Sequence, residues 1–250
     1  MQAKSVRRPC AVAALATVGV MLAGCGPQAP AAATPATPAP YAGVAELPEA
    51  LDPDGTTIVV GDPRAETKVR VYEDPRCPVV EEYERTGAGA AQEMALARKV
   101  RKEYVFASFR DESLGGDGSK RAVNALRAAL DAGKFAEYHA VLFENQEEVE
   151  LNGGFTTASL LRLADKVSGL RSKTFDSAVT TMKYRSFVTA SQDAYQAVDG
   201  SVGDGPGTPS VTINHKEVPE DIGGVIMERE VFKILLNDVH IRPWAWRANP

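Results

Sequence analysis

The chain has 250 residues, 44% of them apolar, which is enough to fill a globular core. Its formal net charge is −5, and the first 24 residues carry Lys4, Arg7 and Arg8 with no acid, so −5 less +3 leaves −8 on the rest. That balance removes any electrostatic case for a nucleic-acid partner.

Residues 1–9 are basic and residues 11–23 are apolar, the latter too short for a comfortable membrane span. This is signal-peptide architecture, predicted over residues 1–24. It ends in Leu22-Ala23-Gly24-Cys25, which resembles a bacterial lipobox. The resemblance implies cleavage before Cys25, lipid attachment to its sulfur, and a location on the outer face of the cytoplasmic membrane. An ordinary secretory signal with a chance cysteine is the plainer alternative. Residues 26–40 hold five prolines in fifteen positions and offer no core side chains. They read as an extended tether able to span up to about 45 Å at ~3.1 Å per residue, the tether segment as a whole, with Cys25, covering 25–54. Residues 41–54 are expected to continue it as an irregular lead-in.

The folded domain is expected over 55–240. Thr56–Val60 reads as a β-branched strand, Gly61–Arg64 as a turn, and Lys68–Tyr72 as a second strand. Pro78 suits the first turn of a helix, where its missing N–H is not needed. That helix is expected to reach about Arg101, with a weak point at Gly87-Ala88-Gly89, and Tyr104–Phe109 reads as a third strand. A helical block follows, about residues 112–198. It includes Lys120–Asp131, Phe135–Gln146, a helix through Val167 capped by Thr157 or Ser159, and one or two more from Ser172 to Val198. A glycine-rich run over 199–207 ends at Thr208-Pro209. Strand Ser210–Ile213, a turn at Asn214-His215, a return strand from Glu217 and a helix over Arg229–Val239 complete the order. The tail, 241–250, carries Trp244 and Trp246.

This order implies a mixed α/β domain with helices inserted into a small sheet. It resembles the DsbA-like branch of the thioredoxin fold. Glu73-Asp74-Pro75-Arg76-Cys77-Pro78 matches that family's active-site entry, and Gly207-Thr208-Pro209-Ser210 its cis-proline loop. Gly133-Lys134-Phe135 with Leu142–Gln146 is similar to its helical insertion, and Ile213-Asn214-His215-Lys216 to its Val-Asn-Gly-Lys hairpin. The fold implied is therefore a thioredoxin-like α/β fold with an inserted helical subdomain.

The resemblance implies thiol–disulfide exchange without a cofactor. Cys77 would be the catalytic thiol, at a helix N-terminus where the dipole favours a thiolate. Pro209 would sit beside it, and Pro78, Thr208 and Pro209 would receive an extended client. The chain departs from the family at position 80, where Val80 replaces the resolving cysteine of Cys-Pro-x-Cys. With Cys10 in the leader and Cys25 at its end, Cys77 is the only thiol expected in the folded region, so no internal disulfide can store oxidising equivalents. Two readings remain: monothiol exchange with extracytoplasmic protein clients or small thiols, or a non-catalytic groove that binds a peptide or partner. Exposure of Cys77 at the helix start is expected for the first reading, and burial under the glycine-rich run for the second. Between Glu73 and Arg85 five acids oppose two arginines, which disfavours a thiolate.

Other constellations are not expected to carry chemistry. His139, His215 and His240 show no metal-ligand spacing, so no metal site is expected. His215 is a candidate base for Cys77. Glu147-Glu148-Val149-Glu150 reads as a solvated acidic loop. Gly203, Gly205 and Gly207 lack the lysine of a phosphate loop, and there is no Gly-x-Ser-x-Gly elbow.

Overall fold

A computed structural model describes residues 38–198 and 204–247. Cys25, the leader and nearly all of the proline-rich tether lie outside the described residues, as does the start of the glycine-rich run at 199–203. Among the described residues no helix is long and apolar enough to cross a membrane.

Six strands form one mixed sheet in the order β1-β2-β4-β3-β5-β6. They are β1 (Glu49–Leu51), β2 (Ile58–Gly61), β3 (Thr67–Glu73), β4 (Val100–Phe106), β5 (Ser210–Ile213) and β6 (Lys216–Glu217). Only β3 and β4 run parallel, joined by α1 (Pro78–Arg85) and α2 (Ala88–Leu96); the other neighbours are antiparallel. The insertion comprises α3 (Arg110–Leu114), α4 (Gly118–Asp131), α5 (Phe135–Glu144), α6 (Gln146–Leu151), α7 (Thr157–Ala164), α8 (Lys173–Thr180) and α9 (Arg185–Gln196). A 3₁₀ segment (Glu220–Met227), α10 (Arg229–Ile241) and α11 (Pro243–Arg247) follow the sheet.

Alternation along the strands decides which helices cover which face. Val69 and Val71 of β3, with Val211 and Ile213 of β5, pack on Tyr83, Met94, Phe232 and Leu236 from α1, α2 and α10. The register pairs Val71 with Tyr104 and Tyr104 with Ile58, so these point to the same face. There Tyr104 and Ile58 meet the insertion, whose core includes Leu126, Phe135, Tyr138, Leu142 and Phe175. Tyr72 and Val105 point the other way and pack on Tyr195 of α9.

The thioredoxin-like α/β fold with inserted helices is thus observed, with local differences from expectation. The lead-in at 41–54 is not irregular: β1 pairs with β2, because Glu49–Leu51 finds an open sheet edge. The helix after Pro78 breaks at Thr86-Gly87, where a Cβ on Gly87 would lie 1.5 Å from the Ile226 carbonyl oxygen. The third strand starts earlier than expected, at Val100, since its parallel register with Thr67 begins there. Thr156, rather than Thr157 or Ser159, caps α7, forming a reciprocal capping box with Ser159. The acidic run at 147–150 is helical, and Glu150 is ion-paired. The hairpin turn falls at Asn214-His215 as expected, both with positive φ (51° and 67°). Its return strand begins at Lys216. The tail is partly docked: Trp246 Nε1 donates to the Ile213 carbonyl at 2.7 Å, whereas Trp244 is 66% exposed.

Candidate active site

β3 delivers Glu73 and Asp74 to the end of the sheet, and a turn then places Cys77 as the N-cap of α1, with Pro78 at its first helical position. The turn is held from three sides. The Asp74 carboxylate accepts the Arg76 N–H, the Arg110 N–H and the Ser119 hydroxyl. Burial raises the Asp74 pKa, while these three donors pull it back. The Gln146 amide donates to the Pro75 and Cys77 carbonyls at 2.7 and 3.0 Å. The Arg76 guanidinium, its side chain 9% exposed, forms a fork to both Glu150 oxygens and reaches Asp111 and the Gly115 carbonyl. The residue beside the thiol therefore ties the sheet to the insertion.

On the other side stands the Thr208–Pro209 loop, with its peptide bond cis as expected. The Cys77 thiol donates to the Thr208 carbonyl at 3.3 Å. Gly205 keeps this loop close: its φ is +77°, and a Cβ there would lie 2.1 Å from the Tyr195 ring. The Tyr195 hydroxyl accepts the Gly207 N–H at 3.1 Å, completing the support. The Thr208 hydroxyl is buried without a hydrogen-bond partner.

Structure thus brings Cys77, Pro78, Thr208 and Pro209 to one place. It does not expose the thiol: Cys77 is 6% exposed, contrary to the expectation for an active nucleophile, because the Thr208 loop lies over it. Val80 is fully buried in the same core cluster as Cys77. Cys77 is the free cysteine among the described residues. His215 is not its base: its Nε2 is 3.4 Å from Lys68 Nζ, near the opposite end of β3. The sequence reading missed the clamp on Arg76 and the Gln146 donor. It also missed a buried cluster of Glu73, Glu84 and His139 beneath α1. The available signal was positional: Glu84 lies four residues after Val80, on the same helical face.

Residues 53–226 match the thioredoxin family model. No curated protein matches the sequence. Among solved structures, MdbA of Corynebacterium diphtheriae, a thiol-disulfide oxidoreductase, is similar at 22% identity and TM-score 0.57, covering 72% of this chain and 91% of that one. BdbD of Bacillus subtilis in its oxidised form is similar at 19% identity and TM-score 0.61, covering 82% and 100%. DsbA of Chlamydia trachomatis is similar at 15% identity and TM-score 0.56, covering 76% and 93%. At these identities the likeness shows the shared fold.

Proposed function

Because the chain belongs to the thioredoxin family, we propose that it performs monothiol disulfide exchange on extracytoplasmic proteins or small thiols through Cys77. What supports the reading is one contact: Cys77 Sγ at the start of α1, 3.3 Å from the Thr208 carbonyl beside cis Pro209. The neighbouring MdbA structure is described as a thiol-disulfide oxidoreductase. The Cys77 thiolate attacks one sulfur of a client disulfide, forming a mixed disulfide and releasing the other client sulfur as a thiolate. A second thiolate, from the client or from a small thiol, then attacks the client sulfur and frees Cys77. When that thiolate belongs to the client, the cycle is an isomerisation and consumes no oxidant. Val80 supports this division of labour, since no internal thiol competes to resolve the intermediate. Lipid attachment at Cys25 would hold this chemistry at the membrane surface.

The specific alternative is a peptide- or partner-binding groove without catalysis, favoured by the 6% exposure of Cys77. Mass spectrometry of the acid-quenched mature protein separates the two. Mixed disulfides on Cys77, lost in Cys77→Ser, support exchange. A uniformly free Cys77, with partner binding unchanged in Cys77→Ser, overturns it. Acylation lost in Cys25→Ser tests the anchor separately.

A further inference from the structure

The fold gathers a second group of side chains that the thiol chemistry does not use. Glu73 ends β3, Glu84 lies in the last turn of α1, and His139 projects from α5. One potential donor atom from each lies within 4.8 Å of the other two. His139 Nε2 is 2.8 Å from Glu73 Oε2, and its Nδ1 is 3.7 Å from Glu84 Oε2. The Glu73, His139 and Glu84 side chains are 0%, 3% and 10% exposed.

We propose that Glu73, Glu84 and His139 form a binding site for one first-row divalent transition ion of the zinc class. Two carboxylates buried side by side repel one another and call for a cation or a proton between them. Glu73 Oε1 and Glu84 Oε1 are both buried with no hydrogen-bond donor from outside the pair. Lys102, whose charge acts on both carboxyls, does not occupy them: its ammonium donates to Gln92 Oε1 at 3.2 Å and lies 5.0 Å from the Tyr104 ring centroid.

The third ligand is already oriented. The His139 ring is packed among Tyr104, Phe106, Phe135 and Phe143, with centroids 4.7, 6.3, 5.4 and 4.9 Å away. This burial favours the neutral imidazole, which is the form that binds metal. One nitrogen and two carboxylate oxygens suit a borderline ion, with a fourth position open to water. Glu73 faces Nε2 and Glu84 faces Nδ1, so one carboxylate must swing toward the nitrogen that takes the ion to reach the roughly 3.3–3.6 Å donor spacing of a tetrahedron with bonds of about 2.0–2.2 Å. Glu84 also lines a surface cavity of about 270 Å³ with Arg85, Ala140, Phe143 and Glu144, which gives the ion a way in. The site uses no atom of Cys77 and stands whether or not that thiol is active.

The test is titration of the chelator-stripped full chain with Co²⁺, followed by displacement with Zn²⁺. The expected result is one Co²⁺ per chain, with ligand-field absorption and no thiolate charge-transfer band, and with proton release on binding. Uptake persists in Cys77→Ser. It weakens at least tenfold in Glu84→Gln and in His139→Gln, with the fold of each checked by circular dichroism. The wild-type spectrum is informative even where a variant does not fold. Failure to take up either ion at millimolar concentration overturns the site. So does a thiolate charge-transfer band that disappears in Cys77→Ser, or binding unchanged in both folded ligand variants.

Discussion

The thiol of Cys77 donates to the carbonyl oxygen of Thr208 across 3.3 Å, so the sulfur is already occupied by the edge that would receive a client. With only 6% of Cys77 exposed, a reagent must displace that loop before it reaches sulfur. Cys77 in the native chain should react with a bulky aromatic disulfide at least about tenfold more slowly than in the urea-unfolded chain. Stopped-flow release of the aromatic thiolate measures this, and equal rates in the two states would contradict the burial.

Val80 occupies the next turn of α1, three residues after Cys77, and is fully buried. Val80→Cys should place a thiol in bonding range of Cys77, since residues i and i+3 share a helical face. The smaller side chain should cost about 1 kcal/mol in the reduced state. Oxidation should then yield an intramolecular disulfide and bring multiple-turnover insulin reduction, read by turbidity. A variant that folds but never forms the disulfide would show that more than Val80 separates this site from the dithiol cycle.

Arg76 holds Asp111 and Glu150 at 3.1 and 3.0 Å with its side chain 9% exposed. Arg76→Ala leaves the buried Asp111 carboxylate only the Ser119 and Lys120 N–H donors and no counter-charge, so unfolding free energy should fall by about 3 kcal/mol. Arg76→Lys should recover only part of this, because an ammonium cannot reproduce the fork. Urea denaturation provides the measurement.

The Glu73–Glu84–His139 cluster should make the metal-free chain less stable as pH rises from about 5 to 7. Burial raises both carboxyls from 4.5 to about 7, with repulsion from Glu73 adding to the rise at Glu84. The folded chain thus keeps protons that the unfolded chain has released, and raising pH favours unfolding. His139 acts oppositely: burial lowers it from 6.5 to about 4, so its contribution to stability grows with pH. Two carboxyls outweigh one imidazole, and the net loss should be roughly 1–3 kcal/mol. Glu84→Gln should flatten the profile and His139→Gln should steepen it, as read from urea midpoints in the presence of chelator. A wild-type midpoint that climbs steadily over the same range would refute this balance.

The two tryptophans of the C-terminal segment should behave differently. Trp246→Phe loses the 2.7 Å hydrogen bond to the Ile213 carbonyl and should cost about 1 kcal/mol. Trp244, 66% exposed, should tolerate alanine within about 0.5 kcal/mol. Thermal melts of the two variants make the comparison.

Much of the fold was legible because its signals are local. Alternating β-branched residues marked β3 and β5, Pro78 marked a helix start, and Asn214-His215 a tight turn. β1 was not legible: three residues following a proline-rich stretch become a strand only when β2 offers an edge. The candidate thiol and its loop were also readable, since Cys77-Pro78 and Thr208-Pro209 are contiguous motifs. Arg76, Asp111 and Glu150 were not, because their pairing joins residues 35 and 74 positions apart.

By itself, the order of residues determined that Cys77 is the one cysteine after position 25, and that a valine stands three residues after it at position 80. Tertiary structure alone decided that this thiol is covered by Thr208, and that Glu73, Glu84 and His139 share one buried site. Periodicity and turn chemistry act over a few residues, so sequence reports them directly. Burial and carboxylate proximity arise only when distant elements pack, and packing sets both the access to sulfur and the charge beneath it.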